Sequence, residues 1–184
     1  MPPIAFLTTQ RLVLRPLAEA DLPKLTHWIN QPEMRLFLSV RTPNSLAAER
    51  AWLESVTRSG NPPQDIVFGI VHKKGSRLIG VTGLHQIDWI NRRAVTGSYL
   101  GAAADRGKGY GKETKLALLE YAFNTLDLRK VNSEANANNI ASQKCLLACG
   151  YTQEGVRRQH LFIQGRPVDL VLFGITQAEW RAAH

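Results

Sequence analysis

Leu100-Gly-Ala-Ala-Ala-Asp-Arg-Gly-Lys-Gly-Tyr-Gly-Lys-Glu-Thr-Lys-Leu116 decides how the rest of the chain is read. It reads as the end of a strand, a short loop, and the glycine-rich start of a long helix. Gly107, Gly109 and Gly111 alternate with other residues, and Arg106, Lys108 and Lys112 bring positive charge. Glycine lets a backbone approach a ligand without a side-chain clash. The first turn of a helix adds unpaired N–H groups and the positive end of its dipole, which suits phosphate. The stretch therefore reads as a diphosphate cradle. A nucleotide P-loop would need a Ser or Thr after Gly111-Lys112, where Glu113 stands. The even glycine spacing also fails the dinucleotide fingerprint.

A second stretch, Lys130-Val-Asn-Ser-Glu-Ala-Asn-Ala-Asn-Asn-Ile-Ala-Ser-Gln-Lys-Cys-Leu-Leu-Ala-Cys-Gly-Tyr151, reads as a strand, a turn and a short helix stopped by Gly150. The spacing Arg106-x-x-Gly109-x-Gly111 resembles the coenzyme A signature of the GNAT superfamily of N-acetyltransferases. Asn139 and Ser142, followed by Gly150-Tyr151, resemble that superfamily's second motif. The resemblance covers residues 8–177 as one domain and is closest to the RimJ/RimL-like branch, which acetylates ribosomal-protein N-termini. It implies an α+β fold with a mixed, mostly antiparallel sheet of about seven strands flanked by about four helices. It also implies acetyl-CoA as co-substrate, held by Tyr99, Leu100, Arg106, Gly107, Lys108, Gly109, Tyr110, Gly111, Lys112, Asn139 and Ser142.

With 184 residues the chain suits one domain, and 44% hydrophobic against 21% charged residues indicates neither disorder nor a membrane span. Met1-Pro-Pro-Ile4 lacks the basic region and apolar core of a signal peptide, so a cytoplasmic location is expected. The net charge of +8 admits nucleic acid, yet the basic residues are scattered and form no RNA-binding motif, so direct nucleic-acid binding is not expected. Cys145 and Cys149 sit one helical turn apart without further ligands at zinc spacing, and read as small core residues. A homodimer is compatible with the sequence.

Thr9 to Pro16 reads as the first strand, and residues 18–30 as a helix burying Leu22, Leu25, Trp28 and Ile29. Residues 31–41 read as loop. A second helix, Ser45 to Arg58, buries Trp52, Leu53 and Val56. The resemblance places this region over the acceptor site, where Trp28 and Phe37 are candidate contacts. Ser59 to Gln64 is a turn cluster. Three strands follow at Ile66–His72, Leu78–Leu84 and Arg93–Leu100. The helix from Gly109 to Leu126 is expected to bury Leu116, Leu119, Phe123 and Leu126, with Lys112 and Lys115 in its first turn facing the diphosphate. Val131–Ala135, a helix from Ile140 to Cys149, and a hairpin of Arg157–Ile163 and Val168–Thr176 complete the order.

Aminolysis of a thioester needs a neutral amine, a stabilised oxyanion and a leaving thiolate. The resemblance implies that the strand ending at Leu100 and the strand Val131–Ala135 part to admit pantetheine, with backbone N–H groups near Tyr99 and Leu100 polarising the carbonyl. Ser142 is the candidate acid for the thiolate, or else a helix cap. The base is less apparent: many superfamily members carry a Glu on the strand before the cofactor loop, and Arg93 to Ala104 contains no carboxylate. Close relatives carry a Glu in the last hairpin, where Leu161 stands beside His160. His85, Asp88, Glu134 and His160 remain, with His160 and His85 favoured as imidazoles. The expected acceptor is a protein or peptide N-terminal α-amine, such as that of a ribosomal protein. A polyamine, aminoglycoside or amino sugar is the alternative acceptor. A non-catalytic coenzyme A- or RNA-binding module is the alternative of another class.

Overall fold

A computed structural model describes residues 4–38, 40, 42–58 and 60–183. Met1 to Pro3, and Arg41 and Ser59 at the edges of two expected loops, lie outside the described residues. Eight strands form one sheet: β1 (Leu7–Thr8), β2 (Leu12–Arg15), β3 (Ile66–His72), β4 (Arg77–Asp88), β5 (Arg93–Leu100), β6 (Lys130–Asn136), β7 (Thr152–Ile163) and β8 (Arg166–Thr176). Their order is β1-β2-β3-β4-β5-β6-β8-β7, antiparallel throughout except for β5 and β6. The helices are α1 (Leu22–Ile29), α2 (Pro32–Arg35), α3 (Leu46–Thr57), α4 (Tyr110–Glu120), α5 (Ile140–Ala148) and α6 (Gln177–Ala183).

The expected α+β sheet is therefore present with one more strand and two more helices. Thr9 does not join its predicted strand. Its hydroxyl accepts from Leu12 N–H in a tight turn, which frees Leu7–Thr8 to pair back on β2 as a separate strand. Part of the expected loop 31–41 is α2, which Pro32 starts at a position where no N–H is needed. β4 runs past Leu84 to Asp88 because its pairing with β5 continues through a bulge after His85.

Alternation of side chains along the strands divides the core between the two sheet faces. Leu12, Leu14, Phe68, Ile70, Ile79 and Leu84 point to one face, under α4, α5 and α6. Val71, Leu78 and Val81 point to the other, with Leu25 and Trp28 of α1 and Trp52 of α3 over them. Each leucine buried completely contributes on the order of 1.5–3 kcal/mol. The buried stripe of α4 is rotated from the expected one: Thr114, Lys115, Leu118 and Leu119 face inward, and Leu116 is only half-buried. Ser45 caps α3 by accepting from Ala48 N–H at 3.1 Å. Asp21, bound to both Arg15 guanidinium nitrogens at 2.7 and 2.8 Å, fixes the chain where β2 hands over to α1.

Candidate active site

The site begins where β5 and β6 part. Their parallel pairing runs from Arg93 with Lys130 to Thr96 with Ser133 and stops there. Beyond it, Gly97 to Leu100 stay on β4 while Glu134 to Asn136 stay on β8, so the two strands diverge as expected. Ser133 Oγ donates to Thr96 O at 3.1 Å at the fork. Peptide groups alternate in direction along a strand. Gly101 N–H points to β4, donating to Ile79 O, whereas Leu100 O faces away from β4 and accepts from Arg106. The N–H groups of Ser98 and Leu100 therefore face the opening, and that of Tyr99 faces β4. Asn136 closes the opposite lip: Nδ2 donates to Leu36 O at 3.1 Å, and its buried Oδ1 has no partner among the described residues. An orphaned buried acceptor at a strand fork fits an incoming amide N–H, such as pantetheine carries.

The cradle lies at the end of β5. Gly107 and Gly109 have φ of 72° and 80°, the left-handed region that favours glycine, and Gly109 turns the chain into α4. The N–H groups of Tyr110, Gly111 and Lys112 fall in the first turn, where a helix supplies no partners. Three ties hold the loop. Arg77 binds both oxygens of buried Asp105 at 2.7 Å, holding that carboxyl below its usual range. Arg11 donates to Lys108 O at 2.9 Å and to Glu113 at 2.7 Å. Arg106 folds back on Leu100 O, Gly101 O and Met34 Sδ and braces the loop. Asn139 caps α5 through Ser142 N–H at 3.1 Å, so the cap belongs to Asn139, and the Ser142 hydroxyl, half-buried, makes no hydrogen bond to a described residue.

On the face covered by α1 to α3, His85 lies across the two glycines that pair beside it, Gly83 and Gly97. A Cβ on Gly83 would come within 3.0 Å of His85 Nε2, and one on Gly97 within 3.4 Å. Asp65 Oδ1 holds the other ring nitrogen, Nδ1, at 2.9 Å. This orients Nε2 over Gly97, the first residue beyond the fork. Tyr99 projects from the same face and meets Trp28 edge-on with centroids 6.5 Å apart. Trp28 is core, packed so tightly over Gly101 that a Cβ there would overlap its ring, whereas Phe37 is exposed on the loop after α2.

The remaining candidates disperse. His160 stands exposed on edge strand β7, separated from β5 by β6 and β8. Asp88 is engaged by Asn91 N–H, which lowers its pKa, and then by Arg93. Glu134 pairs with Arg157 at 3.5 Å. Lys115 is buried, and Cys145 is half-buried where a core position was expected. The sequence reading missed two carboxyls. Asp65 had no motif, only its place at the start of β3. Glu49 of α3 is 2% exposed beside Tyr99; burial raises its pKa, and its hydrogen-bond partner is the Asn44 amide.

Residues 11–152 match the Acetyltransferase (GNAT) domain family. The chain belongs to the GNAT acetyltransferases. As a GNAT enzyme it is an N-acetyltransferase with acetyl-CoA as co-substrate. An N-acetyltransferase of Bacillus licheniformis, p20, is 27% identical over 95% of this chain and 97% of its own. A putative ribosomal N-acetyltransferase of Bacillus subtilis, YdaF, is 29% identical over 93% of this GNAT chain and 94% of its own. In fold, the GNAT chain matches spermidine N-acetyltransferase from Vibrio cholerae, solved in complex with CoA and spermine. That match has a TM-score of 0.85 at 23% identity, covering 93% of this chain and 98% of the other. Among the described residues no helix is long and apolar enough to cross a membrane.

Proposed function

We propose that this GNAT enzyme acetylates the α-amino group of a peptide or protein N-terminus, with His85 as the base and Ser142 as the acid. The observation that carries the reading is the Asp65–His85 pair, Nδ1 held at 2.9 Å and Nε2 left over Gly97 beside the fork. In this scheme His85 Nε2 takes a proton from the amine, directly or through one water. The amine nitrogen bonds to the thioester carbonyl carbon while the Ser98 and Leu100 N–H groups hold the developing oxyanion. The carbon–sulfur bond then breaks, and the Ser142 hydroxyl gives its proton to the departing thiolate. Asn136 Oδ1 and the first turn of α4 would hold the pantetheine amide and the diphosphate.

The choice of acceptor rests on acid strength and charge. An α-ammonium has a pKa of about 7.7–8.0, against about 10.4 for a lysine ammonium. At neutral pH the α-amine is already partly neutral, so an imidazole held by a carboxylate suffices. A polyamine also needs surplus negative charge. On this face Asp88 is paired with Arg93, Glu134 with Arg157, and Glu154 with Lys130, while Asp65 is hydrogen-bonded to His85. The similarity to a putative ribosomal N-acetyltransferase supports the same acceptor. The test is a competition with acetyl-CoA among short peptides with free N-termini, N-terminally blocked lysine peptides, and spermidine. Turnover is expected on the free N-termini; turnover confined to spermidine or lysine side chains would overturn the assignment.

A further inference from the structure

Lys115 stands in the second turn of α4, and the sequence suggests a side chain facing the diphosphate. The fold buries it instead, 5% exposed, with no hydrogen bond or ion pair to a described residue. A buried ammonium without a carboxylate must find negative charge elsewhere or lose its proton. The groups that answer it are the thiols of Cys145 on α5 and of Cys149, which ends that helix. Burial pulls Lys115 down to about 8, and the two thiols oppose that pull. Cys149 is enclosed, its Sγ 3.8 Å from Lys112 O. Cys145 is half-buried, and a Cβ on Gly111 would lie 3.7 Å from its sulfur, so it abuts the cradle itself.

The groups facing the Cys145 sulfur are Cys149 at the end of its own helix, Lys115 and Lys112 on α4, and the buried Tyr151, whose hydroxyl is bonded to Thr96 Oγ1 at 2.9 Å. The Cys149 thiol does most to bring Cys145 down to about 7; burial opposes it, and Lys115 and Lys112 add to it. A thiolate beside ammonium groups and a helix N-terminus is the form that reacts.

We propose that Cys145, its sulfur lying beside Gly111, is a covalent modification site for low-molecular-weight disulfides, and that its modification shuts coenzyme A out of the cradle. The Cys145 sulfur attacks one sulfur of the disulfide, forming a new S–S bond as the old one breaks, and the other half leaves as a thiolate. The attached group then occupies the space that Gly111, lacking a side chain, leaves open. The second half of the proposal rests on the cofactor site described above.

The test begins with iodoacetamide on the folded protein at a series of pH values, with labelled peptides weighed. Cys145, half-buried, should react ahead of the enclosed Cys149, with a midpoint below that of an ordinary thiol. Lys115→Met and Cys149→Ala should each raise that midpoint, by roughly half a unit or more. Methionine replaces a buried ammonium with an apolar chain of similar length, so the first variant should fold, and Cys149→Ala, which removes the donor, gives an independent reading. Coenzyme A at ten times its Kd should slow labelling about tenfold. Treatment with oxidised glutathione should add one glutathionyl group at Cys145 and weaken coenzyme A binding, and dithiothreitol should reverse both. A Cys145 that reacts only after unfolding, a midpoint unmoved in both variants, or a modified protein that binds coenzyme A normally would each overturn the proposal. Calorimetry of coenzyme A on unmodified protein separates these from failure of the cofactor reading, which would appear there as no binding at all.

Discussion

Replacing His85 with glutamine, and Asp65 with asparagine, tests whether the pair acts as base and orienter. The structure sets the scale of each effect. The Asp65–His85 contact is 2.9 Å long, but both side chains are about a third exposed, 29% and 33%. A hydrogen bond to a charged group is worth roughly 1.5–3 kcal/mol when sheltered, and solvent reduces this to about 1–2 kcal/mol. Asp65→Asn should therefore lower kcat/KM by roughly 5- to 30-fold, since 1.36 kcal/mol is tenfold. Loss of the base itself should cost more, on the order of 10²- to 10⁴-fold for His85→Gln. The two effects act through one group, so the double variant should be no slower than His85→Gln alone. The assay is initial-rate kinetics on an N-terminal peptide across pH. In the unmodified enzyme the acid limb of kcat/KM carries two ionisations, of the base and the amine; in His85→Gln only that of the amine remains. A His85→Gln enzyme within threefold of the parent, or an Asp65→Asn loss that persists on the His85→Gln background, would refute the reasoning.

Gly109→Val should weaken coenzyme A binding by roughly tenfold to hundredfold in calorimetry, the equivalent of one or two charge-assisted hydrogen bonds. Its φ of 80° strains a branched residue by about 1–3 kcal/mol, and a Cβ there would press Arg11 Nη2 at 3.3 Å. Ser142→Ala should lower kcat by on the order of 10²-fold with coenzyme A affinity unchanged, since Asn139 and not Ser142 caps α5. Glu49→Gln tests a burial cost. The folded pKa of Glu49 lies above its ordinary 4.5, so its contribution to stability is fully present below that value and is lost as pH rises through the raised one. The glutamine variant should therefore melt higher than the parent at neutral pH and lose that advantage in acid, as scanning calorimetry would show.

The glycine-rich turn into α4 and the cap of α5 were legible in the sequence because their requirements are local. Positive φ at Gly107 and Gly109, unpaired N–H groups in the first turn of α4, and the Asn139 cap each involve a few neighbouring residues. Most strands and helices were legible for the same reason, through the periodicity of Leu12 and Leu14 or of Leu22, Leu25 and Trp28. His85 stood in the sequence as one of four candidate bases, but its pairing with Asp65 did not, since the two are 20 positions apart and meet only because β3 pairs with β4 in one register. The fork after Thr96 was implied by resemblance, but its position follows from β5 holding to β4 while β6 holds to β8. Lys115 shows the limit most directly. Helical spacing placed it in the basic first turn, yet the rotation of α4 against the sheet and α5 turned it inward to Cys145 and Cys149. Periodicity says that one stripe of a helix is buried; which stripe is decided by the volumes that neighbouring elements leave to be filled, and those exist only in the folded chain.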